Sequence, residues 1–538
     1  MNNRLLWTLM MTAALSACAA PGQAIKARLN RAEFRDRVYA CWLGKNIGGT
    51  LGMPFEGKKL INNISFYTNL KPGEPAANDD LDLQMLWLKA MQEHGGRVDA
   101  RILGEYWLKY VPVDWNEYGV GKRNMRRGFL PPLSGHFDNA KWRPSNGAWI
   151  RSEIWACIAP GMPALAAQMA REDAAVDHGA AEGTLAEIFT ASLESAAFIE
   201  HDRDRLIDIG LAMIPPDCGV VRAIRAARDA YRAGKDWEAA RSAVIRTTQD
   251  TGWFQAPRNV AFVMIGWLYG EGDFGKSLCT AVNCADDTDC TGATLGSILG
   301  ILRGTEGIPA KWSEPIGTKI ETVAISGFEN PKDIGALTDQ TLAMTEKVLA
   351  MHDAPVALTD GATDLSGAAG LKLADREAAR ELWRISPYRI VWNEADAQVV
   401  LDYLSDPVIR PGQPHAFEVT VRNLTGAERR FQLAVTDVPS DWKVELADAA
   451  FTLGPNAEMR IRAVATAAAS GPKDYRMKVE VTGASRKIEI PLTLVIPKFK
   501  VPKQVLVIGI PAIVIVLGAA CALVYRRRRA RRLTPAGA

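Results

Sequence analysis

Through most of residues 30–350, apolar residues recur at spacings of three and four. "LDLQMLWLKAMQEHG", "GTLAEIFTASLESAAFIEHD" and "RNVAFVMIGWLYGEGDFGKSLCTAV" all keep this rhythm. It is the rhythm of helices that bury one face. Gly and Pro clusters punctuate the runs, and no two-residue alternation interrupts them convincingly. The pattern predicts an all-α domain over 30–353. Residues 354–372 are small and polar, and 354–394 reads as a linker carrying a short helix near 373–384.

From about residue 395 the period becomes two. Phe417, Val419 and Val421 alternate with Glu418 and Thr420, and Phe431, Leu433 and Val435 repeat the pattern. So do Tyr475, Met477, Val479 and Val481, then Ile488, Ile490, Leu492 and Leu494. Turn signals such as "RPGQP" and "LGPNAE" separate them. About seven short strands predict an all-β, Ig-like sandwich over 395–497.

The two ends break both patterns. Residues 5–17, "LLWTLMMTAALSA", are an apolar run behind Arg4, which reads as a signal peptide over 1–24. "LSAC" at 15–18 resembles a lipoprotein cleavage box with Cys18 as the lipidated residue; ordinary cleavage, for instance after Ala24, is the alternative. Residues 505–525, "VLVIGIPAIVIVLGAACALVY", carry no charge. At about 1.5 Å per residue they are long enough to cross a hydrocarbon core of about 30 Å as one helix. Six arginines follow at 526–529, 531 and 532, which predicts a cytoplasmic tail at 526–538. The rest of the chain would face outward from the cell envelope, into the periplasm or extracellular space.

Charge excludes one class of partner. The net charge is +3, and those six arginines account for it, so the body is slightly acidic. A nucleic-acid polymer is not the expected partner, because phosphate binding needs a basic face. The six cysteines between the two ends are irregularly spaced and read as buried thiols.

Acidic clusters carry the candidate chemistry. Glu56 closes "GGTLGMPFEG", "NDDLD" holds Asn78, Asp79, Asp80 and Asp82, and "DDTD" holds Asp286, Asp287 and Asp289. A helix start at Thr291–Leu302 explains one acid as a cap or dipole partner. It does not explain three in four residues, whose repulsion calls for a countercharge. Hard oxygen donors suit Mg²⁺ or Mn²⁺. Zinc through Cys284 and Cys290 fits less well, because no His lies near and the spacing is wrong. Gly292, Gly296 and Gly300 allow close helix packing.

"GKNIGGTLGMPFEG", "NDDLDLQ", "SNGAWIRSE", "DHGAAEG" and "DDTDCTGATLGSILG", in this order, resemble the ADP-ribosylglycohydrolase family over about residues 32–350. The resemblance implies a compact helical fold with two Mg²⁺ or Mn²⁺ ions in a central cleft. It implies metal ligation by Glu56, Asn78, Asp79, Asp80, Asp287, Asp289 and Cys290, with Glu56, Asp79 and Asp287 as the catalytic residues. The ions would grip ribose hydroxyls while water displaces the group on the anomeric carbon. Ser145, Asn146, Gly147 and His178 fall on substrate-contacting positions. The chain departs from the family at Asn78, where Thr is usual, and at Cys290, where Thr or Ser is usual. A thiol is a poor partner for a hard cation.

Three functions follow as expectations. The first is a metal-dependent glycohydrolase acting on an ADP-ribosyl or related ribosyl bond. The second is a glycosidase or nucleosidase on external glycans or nucleosides. The third is a non-catalytic surface binding protein. The segment 114–135, "DWNEYGVGKRNMRRGFLPPLSG", is expected to be a lid, a specificity loop or a plain surface loop.

Overall fold

The computed structural model describes residues 24–468 and 471–498. The expected leader with Cys18, the 505–525 span and the arginine tail lie outside the described residues. Among the described residues, no helix is long and apolar enough to cross a membrane.

Sixteen α-helices run between Arg31 and Met351 among the described residues. At their centre the first helix, Arg31–Gly52, lies along the helix Thr288–Arg303. Glycines make that contact. Gly44, Gly48 and Gly52 recur every fourth residue on one helix, and Gly292, Gly296 and Gly300 on the other. This spacing puts each set on one helix face. A Cβ added at Gly48 would sit 1.9 Å from the Gly292 carbonyl oxygen, and one at Gly296 would sit 2.1 Å from that of Gly44. The two backbones touch, and no side chain stands between them to give way. Gly48→Ala is therefore expected to destabilise the chain by about 3 kcal/mol or more, the upper end for overpacking, despite Ala's better helix propensity. Gly426, with nothing within 4 Å of an added Cβ, serves as the control. Equal melting temperatures for Gly48→Ala and Gly426→Ala would refute the close-packing account.

The helical part is tied at its ends by a two-stranded parallel sheet. Strand β1 (Ala27–Asn30) pairs with β2 (Val356–Thr359), Ala27 opposite Val356 and Asn30 opposite Thr359. The stretch read as linker thus closes the helical body. Four-residue strands are too short to show alternation, which is why the sequence pattern missed them. The short helix is found at Arg376–Trp383.

Beyond it the chain is β-rich. The strands are β3 (Arg389–Asn393), β4 (Ala397–Asp402), β5 (Pro414–Asn423), β6 (Arg429–Thr436), β7 (Trp442–Leu446), β8 (Ala450–Leu453), β9 (Glu458–Ala467), β10 (Asp474–Thr482) and β11 (Ile488–Val495). They form two antiparallel sheets, ordered β3-β4-β5-β9-β7 and β11-β10-β6-β8. Alternate residues such as Phe417, Val419, Ile461, Leu433, Val479 and Ile490 are buried in one shared core. The strands exceed the expected number because β7 and β8 are short and largely exposed on their outer positions.

The segment 114–135 is neither lid nor surface loop. It forms a helix, Asn116–Arg126, that buries Glu117, Tyr118, Val120, Lys122, Asn124 and Met125. Phe129, Leu133 and Phe137 then enter the core of the β domain. The apolar content of "GFLPPL" serves an inter-domain joint.

Candidate metal centre and active site

Three stretches far apart in sequence meet at the end of the glycine-packed helix pair. The first is Glu56, just beyond the first helix and its 3-10 extension Met53–Phe55. The second is the start of helix Asp79–Glu93, where the Asn78 side chain caps the Asp80 N–H at 2.9 Å. The third is the turn into Thr288–Arg303. Ala285 and Asp286 take left-handed backbone conformations there, with φ of 68° and 73°. Thr288 Oγ1 donates to the Gly52 carbonyl at 2.8 Å, pinning the turn to the first helix. Asp286 faces away from the cluster, bonded to Lys59 and, at 3.3 Å, to Asn259 Nδ2. Asp82 also has a structural role, accepting the Val323 and Ala324 N–H groups at 2.7 and 2.6 Å.

Of the remaining acids, Glu56, Asp80, Asp287 and Asp289 converge, while Asp79 belongs to neither three-ligand group and acts on Glu56 and Asp289 through its charge. Ligand atoms of Glu56, Asp287 and Asp289 all lie within 4.8 Å of one another, and so do those of Asp80, Asp289 and Cys290. Asp289 belongs to both groups. Asp80 Oδ2 and Asp289 Oδ1 are buried with no hydrogen-bond partner among the described residues. Leaving such oxygens unmatched is costly. The two buried cations that bear on the cluster are committed elsewhere. Lys45 Nζ holds Glu153 Oε1 at 2.7 Å, and Arg151 holds Asp173 and Asp177, both at 2.8 Å.

The electrostatics follow from this crowding. Burial, then Asp289 and Asp79, push the Glu56 carboxyl up to about 7. Burial, then Asp289 and Glu56, push Asp287 well above the usual carboxylate range. Asp80 is raised well above that range too, by burial against the pull of Lys45, with Asp289 and Asp79 adding to it. A divalent cation would meet the unpartnered oxygens and the like charge together, so these residues fit a hard metal ion.

The other predicted residues take distinct places. Tyr118 Oη donates to Asp79 Oδ2 at 2.6 Å. Asn78 turns its amide NH₂ toward Asp289 Oδ2 at 3.3 Å while its carbonyl oxygen serves the cap. The Asn78 carbonyl oxygen thus caps the helix start with one of its two lone pairs. Cys290 does reach the cluster, its thiol donating to Asp80 Oδ1 at 3.4 Å. Burial and the surrounding carboxylates raise that thiol well above its ordinary value, so it stays protonated. Cys290→Thr would offer a harder oxygen in its place and is expected to tighten Mn²⁺ binding several-fold. Unchanged Mn²⁺ affinity by calorimetric titration would mean that the thiol only packs. Cys284 belongs to neither acidic group, and all six described cysteines are buried and free.

A braced loop forms one wall. Asn146 Nδ2 donates to Asp287 Oδ2 at 2.6 Å, and Trp149 Nε1 fixes Asn146 Oδ1 at 3.1 Å. Arg151 donates to the Gly147 carbonyl. His178 is fully buried, its Nδ1 2.8 Å from Asp177 and its Nε2 3.3 Å from Ser145 Oγ. Burial opposes it, but Arg151 and His178 hold the Asp177 carboxyl down to about 2. The pair therefore fixes the Ser145 loop from behind.

Sequence reasoning missed Glu117 and Tyr118. Glu117 is buried, and its Oε1 lies 2.3 Å from where a Gly147 Cβ would be, so Gly147 is what lets this carboxylate approach. The stretch Trp115–Tyr118 falls in the segment left open between a lid, a specificity loop and a surface loop, and no local signal tied it to Asp79.

No curated protein matches the chain. Among solved structures, the crystal structure of the cupredoxin domain of amoB from Nitrosocaldus yellowstonii is similar at 11% identity and a TM-score of 0.13, over 24% of this chain and 72% of that one. So low a score carries no argument. The family model for ADP-ribosylglycohydrolase matches residues 30–348. That match spans more than half of the sequence and takes in all three acidic stretches: the chain belongs to the ADP-ribosylglycohydrolase family.

Proposed function

We propose that the chain is an exported, membrane-anchored glycohydrolase that uses two divalent cations, Mg²⁺ or Mn²⁺, to release an ADP-ribosyl or related ribosyl group from its acceptor. The observation that carries this reading is the pair of acidic groups sharing Asp289, with unpartnered oxygens on Asp80 and Asp289. Glu56, Asp79, Asp80, Asp287 and Asp289 would hold the cations, with Cys290 at the edge of one site. Bound there, the cations would supply Lewis-acid polarisation and orientation of sugar hydroxyls.

The chain's own residues do the rest. Glu56 is exposed at the rim where Asp80, Asp287 and Asp289 are buried. That exposure leaves Glu56 as the carboxylate of the cluster within reach of an incoming water. It would accept the proton of the water whose oxygen bonds to the anomeric carbon. The bond from the anomeric carbon to the leaving group breaks, and the acceptor takes up the proton that Glu56 received. The Ser145–Gly147 wall, held by Arg151, His178 and Asp287, would orient the sugar.

The test uses the full chain in detergent, because the β core includes Phe129, Leu133 and Phe137 from the helical segment. With Mn²⁺ or Mg²⁺ it should release ADP-ribose from a modified protein. No release with either metal, but turnover of aryl glycosides or nucleosides, would move the substrate to external glycans or nucleosides. Silence throughout, with no metal binding, would leave a non-catalytic scaffold.

A further inference from the structure

The β domain is joined to the candidate site through one helix. Arg127, at the end of helix Asn116–Arg126, donates from Nε and Nη2 to both oxygens of Asp474, at 2.8 and 3.0 Å. Its carbonyl accepts the Thr493 hydroxyl at 2.9 Å, and the Arg126 carbonyl accepts Arg476 Nη2 at 2.7 Å. Gly128, at φ 92°, packs so closely that an added Cβ would lie 2.6 Å from Thr493 Oγ1. Phe129, Leu133 and Phe137 complete the joint from inside the β core.

The other end of the same helix meets the acidic cluster. Tyr118 Oη gives Asp79 its side-chain hydrogen bond among the described residues, at 2.6 Å. The tyrosine ring stands edge-on to Trp107, with centroids 4.9 Å apart, and Trp107 stacks on Trp87 of the Asp79–Glu93 helix at 5.7 Å. An added Cβ at Gly147 would meet Tyr118 Cε1 at 3.0 Å. The helix has 11 residues, including Gly119 and Gly121. A helix this short is marginal on its own, and glycine weakens it further. What it docks against must set its position.

We propose that the β domain is a working part of the site: anchored by Arg127 and Thr493, it sets the helix Asn116–Arg126 so that Tyr118 holds Asp79 in its metal-facing orientation. Tyr118 is then a positioning residue that acts through Asp79. The proposal rests on the metal-centre reading above. Partners that orient a ligand typically contribute 10–100-fold to metal affinity or activity.

The experiment is Mn²⁺ titration of the full chain by calorimetry, with melting in EDTA as the check on folding. Tyr118→Phe removes one hydroxyl and keeps the ring packing. It should weaken Mn²⁺ binding about tenfold, while the metal-free melting temperature falls by no more than the few degrees that one unmatched buried oxygen costs. Arg127→Met with Thr493→Val loosens the joint and should weaken binding in the same direction. Combined with Tyr118→Phe, it should add little, because both act through one path. Thr493→Val alone is the milder version should the pair undock the domains. Unchanged Mn²⁺ affinity in Tyr118→Phe would overturn the proposal, as would losses from the joint that add in full to those of Tyr118→Phe. A wild-type chain that binds no Mn²⁺ would overturn the metal-centre reading first, and this proposal with it.

Discussion

Asp289→Asn should abolish divalent-cation binding and, in the same protein, stabilise the metal-free state. Asp289 is the residue common to both acidic groups, so its loss removes a ligand from each. Its Oδ1 is buried without a partner, and the Asp79 carboxylate adds to the burial that raises its pKa. In the metal-free chain this carboxylate is a cost. Replacing it by a neutral group of the same shape relieves both the burial of a charge and the repulsion from Asp79. The amide also keeps an oxygen to accept the Asn78 NH₂. With metal the order reverses. Wild type at about 100 times its dissociation constant gains about 2.7 kcal/mol, and the variant gains nothing. Thermal melts of both proteins, in EDTA and in Mn²⁺, check both halves. A variant that melts below wild type in EDTA, or that still shifts with Mn²⁺, would show that Asp289 is a structural acid.

The same residue illustrates what could be read in the chain and what could not. The periods of 3.6 and two separated the helical body from the β domain, because one buried face leaves a repeat that survives in one dimension. The glycines at 292, 296 and 300 announced a close helix contact. Their partners at 44, 48 and 52 became visible only when the two helices lay together. Crowded acids at 79–80 and 287–289 marked a site because so much like charge in a short stretch needs an explanation. Their alignment with a family pattern joined them across more than 200 residues, which no spacing rule does. What stayed hidden has a physical cause. At Asn78 the residue type indicated an oxygen donor, but not that the same oxygen also caps the helix start. The segment 114–135 reads as a lid, a specificity loop or a surface loop. Its buried partners are Asp79, Gly147, Asp474 and Thr493, all distant in sequence, so nothing local distinguished a strut from a lid. Arg151 and Asp177 went unremarked for the same reason, since a brace is defined by what it holds.

Acidity should act on the metal-free and metal-loaded forms in opposite directions. Asp80, Asp287 and Asp289 have carboxyls raised above their ordinary values in the folded chain, and Glu56 and Asp82 lie near 7. Unfolded, these groups titrate at about 4. Between about pH 4 and pH 7 these groups therefore hold more protons in the folded, metal-free chain than in the unfolded one. By linkage the stability they contribute is fully present below about 4 and is lost as pH rises through the folded values. His136, lowered to about 4, and the lowered His201, His352 and His415 oppose them below about pH 6.5. Asp177, held down to about 2, works in the other sense. Its contribution is complete above about pH 4 and leaves this window unaffected. Metal binding needs the same carboxylates ionised. Each proton displaced should raise the apparent affinity about tenfold per pH unit, so loaded stability climbs where metal-free stability falls. The gap between melting temperatures in Mn²⁺ and in EDTA should widen steadily from pH 5 to pH 8. In Asp289→Asn the EDTA curve should flatten and the gap vanish. EDTA curves of equal slope in wild type and Asp289→Asn would mean that the cluster is already neutralised by groups within the chain. The unpartnered oxygens of Asp80 and Asp289 would then lose their connection to a cation.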